Sequence, residues 1–326
     1  MNCYVFSREM CQSNSTARMP EEDILEEKLY ERLSHLVDLR IPGFEKSVPP
    51  GKVRQLSFSN RSSIEWFEEF VERATNAIGR RYLPIFRVSD GEFYFSVGYR
   101  LPYPSPGEKP LLHYLRQIAS YIKWNRFNVF WSGTPGYGYE NYSTAEWKTL
   151  RPHYVECLRT ICREGIMAMA LMKTPDRFAE RYHRPICEWF ETNKVAVIPG
   201  NYYPFYFVYG LLNGPSIGRV LQDRRVLVVT SLNPNKEKAI SLGLLRAGAR
   251  DVQFIQISRG KALTDRIDLS GIAVPVDVAL VGAGVGAANI LVQLRELRTL
   301  CIDAGYSLDL IADRTLAGSR DFTLAD

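Results

Sequence analysis

Two carboxylates follow a short apolar run near the first third of the chain. Leu83–Val88 reads as a strand, and Ser89, Asp90, Gly91 and Glu92 come directly after it. In an extended or tightly turned backbone, side chains two positions apart point to the same side, so both carboxylates can converge on one hard cation. The same residues also suit the first turn of a helix, where acidic side chains act as caps. The pattern therefore indicates either a divalent-metal site or a helix N-terminus.

A second candidate site is a glycine-rich loop near the C-terminus. The predicted strand Val276–Val281 runs into Gly282 and Gly284, a helix follows from about Gly286 to Leu297, and Asp303 ends the next strand. This is the order of a dinucleotide fingerprint, in which glycines admit a pyrophosphate and a later acid meets a ribose hydroxyl. Its place near the end of the chain is unusual for that fingerprint. A diphosphate of another kind, or a tight turn needed only for packing, fits the loop as well.

Predicted strands and helices alternate along the chain and would position these residues. Short apolar runs are typical of buried parallel strands when small or polar residues follow them and helical patterns separate them. The further predicted strands are Phe127–Trp131, Ile166–Leu171, Val195–Ile198, Arg225–Thr230, Val252–Ile257, Val276–Val281 and Leu300–Ile302. A capping box begins at Ser143, and Asn233-Pro234 marks another helix start. These features predict a doubly wound, mostly parallel α/β sheet, with ligands bound outside the carboxyl ends of its strands.

The first 60 residues differ in character from the rest. A charged helix is predicted from Glu21 to Val37, followed by a connector rich in Pro and Gly. We therefore expect an N-terminal helical and irregular extension over residues 1–60 and one α/β domain over residues 61–326. The extension is a candidate for self-association, which would make the protein a homo-oligomer, or for contact with a partner.

Composition narrows the class of protein. The chain has 326 residues, of which 46% are apolar, enough for a full-sized core. Its formal charge of +5 comes without dense basic blocks, which argues against nucleic-acid binding and suits an anionic substrate or a peripheral membrane contact. The six cysteines lack zinc-site spacing, and the sequence shows neither a secretory signal nor a membrane span. The expected location is the cytoplasm.

Together, two segments of the sequence resemble the GT-D-type glycosyltransferases. The first is Arg87-Val88-Ser89-Asp90-Gly91-Glu92, and the second is the glycine loop with the later Ile302-Asp303-Ala304-Gly305 turn. The resemblance covers roughly residues 62–315 and is specific at these two segments. Two departures stand out, because Ser89 replaces the usual glycine before the acid and Tyr306 stands where the family has a histidine.

The resemblance implies a Rossmann-like GT-D fold and a metal-dependent transfer of a sugar, with UDP-sugar as the expected donor and a glycan or glycoprotein as acceptor. It implies that Asp90 and Glu92 hold Mn²⁺ or Mg²⁺ against the donor diphosphate, and that Asp303 joins them in catalysis. The remaining nucleotide-sugar-binding positions that it implies are Arg87, Ser89, Gly91, Gly282, Ala283, Gly284, Tyr306 and Asp309. Polysaccharide biosynthesis is the kind of process such an activity would serve.

An inverting transfer needs a base for the acceptor hydroxyl, and the residues leave its identity open among Asp303, Asp309 and Glu140. Two other functions also remain open. One is an NAD- or S-adenosylmethionine-dependent enzyme of the Rossmann type that uses the Gly282-Gly284 loop. The other is a protein that binds a nucleotide sugar without turnover.

Overall fold

The computed structural model describes residues 27–97, 109–126, 144–174, 179–258, 260–272 and 275–318. The strands in chain order are β1 His35–Asp38, β2 Arg54–Ser57, β3 Leu83–Val88, β4 Ile166–Met169, β5 Met172–Lys173, β6 Tyr202–Pro204, β7 Arg225–Thr230, β8 Asp251–Gln256, β9 Val278–Gly282 and β10 Leu300–Asp303. The α-helices are α1 Leu29–Arg32, α2 Ser63–Thr75, α3 Asp90–Val97, α4 Pro110–Arg126, α5 Thr144–Glu164, α6 His183–Thr192, α7 Phe205–Asn213, α8 Ile217–Leu221, α9 Pro234–Arg246, α10 Ala287–Gln293 and α11 Tyr306–Leu316. Short 3₁₀ turns occur at Ala179–Tyr182, Gly284–Gly286 and Leu294–Leu297.

Within the described part of the chain, seven strands form one parallel sheet in the order β6-β4-β3-β10-β9-β7-β8. Every residue of β3, β4 and β10 is buried, as expected for parallel strands covered on both faces. The outer strand β8 is half-exposed along its middle. The predicted α/β sheet is confirmed.

The helices cover the sheet in two groups. By their mutual contacts, α2, α7, α8, α9 and α11 lie on one side, while α3, α5, α6 and α10 lie on the other. The neighbouring strands β3 and β10 therefore send their following helices, α3 and α11, to opposite faces. Such a divergence opens a crevice beyond the carboxyl ends of the two strands, which is where open α/β sheets bind ligands.

Most predicted elements are present, with boundaries within about two residues. Helix α9 begins as predicted, because the Lys236 N–H donates to the Asn233 side chain at 3.0 Å and Pro234 occupies the first turn. Helix α5 begins at Thr144, directly after the first residue of the predicted capping box. The predicted strand Phe127–Trp131 lies outside the described residues.

The predicted strand Val195–Ile198 is wrong, because this segment has irregular backbone and the sheet continues instead with β6. Asn201 explains the difference. Its amide oxygen accepts from the Ile198 N–H at 2.9 Å, and its NH₂ donates to the Ala196 carbonyl at 2.8 Å. Backbone groups satisfied by a side chain in this way do not need a neighbouring strand.

The predicted helix Glu21–Val37 is wrong over its described part. Only α1 is helical, and His35–Asp38 forms strand β1 instead, paired antiparallel with β2. Strand β2 also pairs with β5, which gives a small three-stranded sheet. Pairing with distant residues has overridden the local helical pattern here. The division of the chain at residue 60 stays a prediction.

Candidate active site

The carboxylate pair lies at the start of helix α3, directly after β3. The Ser89 N–H donates to Glu92 Oε2 at 3.0 Å, the back-bond of a capping box. The Ser89 hydroxyl lies 3.0 Å from Asp90 Oδ1 and 3.4 Å from Glu92 Oε2. The prediction of a helix cap is therefore correct. The two carboxylates also converge, but they do so because the first turn of a helix folds Glu92 back, and not because the backbone is extended.

Arg87 and Asp303 link the neighbouring central strands β3 and β10. The Arg87 N–H donates to Asp303 Oδ2 at 3.2 Å, and the Arg87 guanidinium Nη2 lies 3.3 Å from Asp303 Oδ1. The two side chains are only 10% and 3% exposed. Because both carboxylate oxygens accept from the same residue, Asp303 is fixed in place and in turn fixes the guanidinium.

Gly305 lies against this pair. Its backbone has φ 44° and ψ −126°, a conformation that residues with a Cβ rarely adopt. A Cβ added at Gly305 would overlap Arg87 Nη2 and lie 2.8 Å from the guanidinium carbon. The residue after Ala304 must therefore be glycine if Arg87 is to reach Asp303.

Negative charge is in excess at this site. Burial, together with the nearby Asp303 and Asp90, raises the pKa of Glu92 to about 7. Burial also raises the pKa of Asp303, and the hydrogen bonds and charge of Arg87 offset part of that rise. The pKa of Arg87 is raised as well: burial acts to lower it, but the negative groups around it, Asp303 first, outweigh burial. Two acids, Asp303 and Glu92, thus act on one arginine, and Asp90 lies next to Glu92.

The structure brings the glycine loop to the same edge of the sheet. Helix α3 contacts the Gly284–Gly286 turn, and the N–H groups of Ala304 and Gly305 both donate to the Val281 carbonyl. The two segments that stand almost 200 positions apart in the chain therefore border one crevice.

The glycines of this loop have packing roles. A Cβ at Gly282 would lie 2.8 Å from Leu308 Cδ1, and Gly284 has a φ of 53°. A Cβ at Gly286 would lie 2.6 Å from the Ala262 carbonyl carbon and 2.7 Å from the Leu263 nitrogen. Ala283 is buried. The space next to Gly286 is filled by the protein's own residues 262 and 263, so this glycine is needed for packing.

Two of the predicted residues, both on helix α11, are placed differently from the rest. Tyr306 is 57% exposed at the first position of the helix. Asp309 forms an ion pair with Lys236 of α9, with 2.5 Å between Oδ1 and Nζ, and this pair ties the two helices together. Asp309 is thereby engaged outside the group formed by Arg87, Asp90, Glu92 and Asp303, the Arg87 cluster. The third base candidate, Glu140, lies outside the described residues.

Aromatic residues of helix α7 complete the cluster, and the sequence did not single them out as part of it. The Arg87 guanidinium carbon lies 5.3 Å from the Phe205 ring centroid and 5.2 Å from that of Tyr209, within cation–π range. Both rings are half-buried. Their neighbours Tyr202, Tyr203 and Phe207 are buried in the core. The spacing of four between Phe205 and Tyr209 was the available signal, since it puts them on one helix face.

The donors of this cluster suit a hard divalent cation. Carboxylate oxygens are the ligands that Mg²⁺ and Mn²⁺ prefer, and the local excess of negative charge favours a cation. Across the described residues, no group of three or more His, Cys, Asp or Glu side chains is arranged to hold a metal. Asp90 and Glu92 alone resemble the sparse protein ligation of Mg²⁺, which takes one or two carboxylates and completes its shell with water and substrate phosphates.

Comparison with known proteins gives only distant structural neighbours. No protein-family model matches the chain, and no curated protein matches it. Two solved structures of a domain of unknown function 1792 are similar. One is a selenomethionine-substituted structure at 14% identity, and the other, at 12% identity, is described as having a distinct glycosyltransferase fold. Each likeness covers 78% of this chain and 87% of the other, with a TM-score of 0.42. At that level the function must be argued from the residues of this chain.

Membrane-spanning helices are not found where the structure is described: each helix there is too short or too polar to cross a bilayer.

Proposed function

We propose that this protein transfers a sugar from a nucleoside diphosphate to a hydroxyl acceptor, with a divalent cation held at Asp90 and Glu92. The observation that carries the proposal is the meeting of these two carboxylates at the Ser89 hydroxyl, beyond the carboxyl end of a central strand. The site lies where α3 and α11 diverge, the usual place for a ligand in this architecture.

The residues of the site would have different roles in this reaction. Asp90 and Glu92 supply hard oxygen ligands, and the capping hydrogen bond from the Ser89 N–H holds Glu92 in its inward orientation. Asp303 acts as a positioning residue for Arg87, because both its carboxylate oxygens accept from that residue. Phe205 and Tyr209 flank the guanidinium and exclude water from one side of it.

A cation at this site, Mn²⁺ or Mg²⁺, would neutralise charge that develops on the leaving diphosphate. The expected donor is a UDP-sugar and the expected acceptor is a hydroxyl of a glycan or glycoprotein. A dinucleotide or methyl-donor cofactor at the glycine loop has less support. Helix α10, whose N-terminus would face the phosphates of such a cofactor, has only seven residues.

The proposal is tested by thermal unfolding in the presence of UDP-sugars, with and without Mn²⁺ or Mg²⁺. We expect a rise in melting temperature only when sugar nucleotide and metal are both present. Asp90→Asn should abolish that rise, since it removes one of two negative ligands. Asp251→Asn is the matched control, because Asp251 is exposed at the start of outer strand β8, at the opposite end of the sheet.

Release of UDP, measured with the same variants, separates catalysis from binding. Metal-dependent protection together with UDP release supports a transferase, while protection without release identifies a nucleotide-sugar-binding protein. Protection by NAD or S-adenosylmethionine in the absence of metal would refute the proposal.

A further inference from the structure

Helix α4 presents a stripe of apolar side chains to solvent. Leu111, Leu115, Ile118 and Ile122 follow one another at spacings of four, three and four, which puts them on one face of the helix. They are 69%, 52%, 39% and 45% exposed. Tyr114, beside them, is 61% exposed. A globular protein normally buries such a stripe against its core.

This exposure is specific to α4. No described helix or strand makes a substantial contact with it. Among the residues with described side chains, six large exposed apolar residues lie on α4, whereas α9 contributes two. The α4 set is Leu111, Leu112, Tyr114, Leu115, Ile118 and Ile122. A contiguous apolar surface of this kind indicates an interaction site.

The basic residues of helix α4 indicate which kind of surface its apolar stripe could bind. Its sequence contains Arg116, Lys123 and Arg126 and no Asp or Glu, and Lys109 precedes it. Two copies of α4 packed against each other would bring like charges together. An anionic lipid surface offers both an apolar layer for the stripe and negative headgroups for the cations.

We propose that α4 docks this protein on an anionic membrane surface. The helix lies in the plane of the headgroups, with the stripe Leu111, Leu115, Ile118 and Ile122 inserted at the acyl boundary. At 17 residues, three of them basic, the helix lies on a bilayer and does not cross it. The inference does not depend on the sugar-transfer chemistry, because α4 contributes no residue to the Arg87 cluster.

The test is co-sedimentation of the full chain with vesicles. Phosphatidylcholine vesicles are compared with vesicles that contain a substantial fraction of phosphatidylglycerol. We expect binding to the anionic vesicles that is at least about tenfold stronger than to the neutral ones and that weakens with added salt. The double variant L115E/I118E should lose this binding, since it puts two charges into the stripe.

A matched control keeps the result specific. Leu242 and Leu245 on α9 are 44% and 43% exposed, so L242E/L245E adds the same charges to an equally exposed pair elsewhere. We expect this control to keep its binding to anionic vesicles apart from a small effect of net charge. All variants should keep the melting temperature of the wild type, because the replaced side chains are exposed.

Three outcomes would overturn the inference. The first is a wild-type protein that does not sediment with anionic vesicles. The second is equal loss of binding in L115E/I118E and L242E/L245E, which would reflect net charge alone. The third is a dimer in light scattering that L115E/I118E converts to a monomer, since the stripe would then be covered by a second copy of the chain.

Discussion

Replacement of Gly305 by alanine tests the geometry of the buried ion pair. The new Cβ would overlap Arg87 Nη2 and lie 2.8 Å from the guanidinium carbon. An arginine tip on a surface would swing aside at little cost. Here the tip is 10% exposed, paired with Asp303 and bordered by two aromatic rings, so displacement breaks the pair.

The expected loss of folding free energy in Gly305→Ala has two parts. Forcing a residue with a Cβ to the φ of 44° at this position costs about 1–3 kcal/mol. Breaking a buried ion pair so that a buried charge is left uncompensated costs about 3–5 kcal/mol. We therefore expect Gly305→Ala to lower the free energy of unfolding by roughly 4–8 kcal/mol, a large share of the total stability of a typical domain.

Urea denaturation followed by circular dichroism measures this difference. Gly51→Ala is the matched control, because Gly51 has a φ of 75° and nothing within 4 Å of its missing Cβ. It should lose only the backbone part, about 1 kcal/mol. A double-mutant cycle with Arg87→Ala then isolates the overlap, since Gly305→Ala should cost only the backbone part, about 1–3 kcal/mol, once the guanidinium is absent.

Two results would refute this reasoning. One is a loss for Gly305→Ala no larger than that for Gly51→Ala, which would mean that Arg87 moves aside freely. The other is a cycle with no coupling between positions 87 and 305, which would mean that the destabilisation has another origin.

Further predictions concern stability elsewhere. Burial, with Lys173 nearby, lowers the pKa of His183 from 6.5 to about 4, so between these pH values the folded state binds fewer protons than the unfolded state. The free energy of unfolding should therefore fall by about 3 kcal/mol as the pH drops from 6.5 to 4. Denaturation of His183→Gln at several pH values should lack this pH-dependent part. Asn233→Ala should cost about 1 kcal/mol by removing the cap of α9, measured by urea denaturation. Gly286→Ala should lower the free energy of unfolding by about 1–3 kcal/mol, because its Cβ would overlap residues 262 and 263. Gly218→Ala in helix α8, where the added Cβ meets open space, should instead raise it by about 0.5 kcal/mol. Equal effects of the two variants would contradict the packing role of Gly286.

Local signals predicted much of the fold. Short apolar runs such as Leu83–Val88 and Arg225–Thr230 are strands, and Asn233-Pro234 begins a helix, because burial and capping depend on neighbouring residues. The prediction failed where distant residues decide. His35–Asp38 is a strand because β2 pairs with it, and Val195–Ile198 is irregular because Asn201 satisfies its backbone groups.

The candidate site divides in the same way. The sequence alone marked Asp90, Glu92 and Asp303, since acids that follow predicted strands lie at the ligand-binding edge of a parallel sheet. The sequence did not reveal that Asp303 forms an ion pair with Arg87, because that pair depends on β3 and β10 being neighbours. Nor did it reveal that Gly305 leaves room for the guanidinium or that Phe205 and Tyr209 border it.

Local patterns in the sequence establish the residue types, their order and most of the helices and strands that carry them. Which of these residues meet depends on the tertiary structure. Strand order brings residues 87 and 303 within hydrogen-bonding distance, and no described helix or strand makes a substantial contact with α4. Contacts between distant segments depend on the packing of the whole chain, and no local pattern encodes that packing.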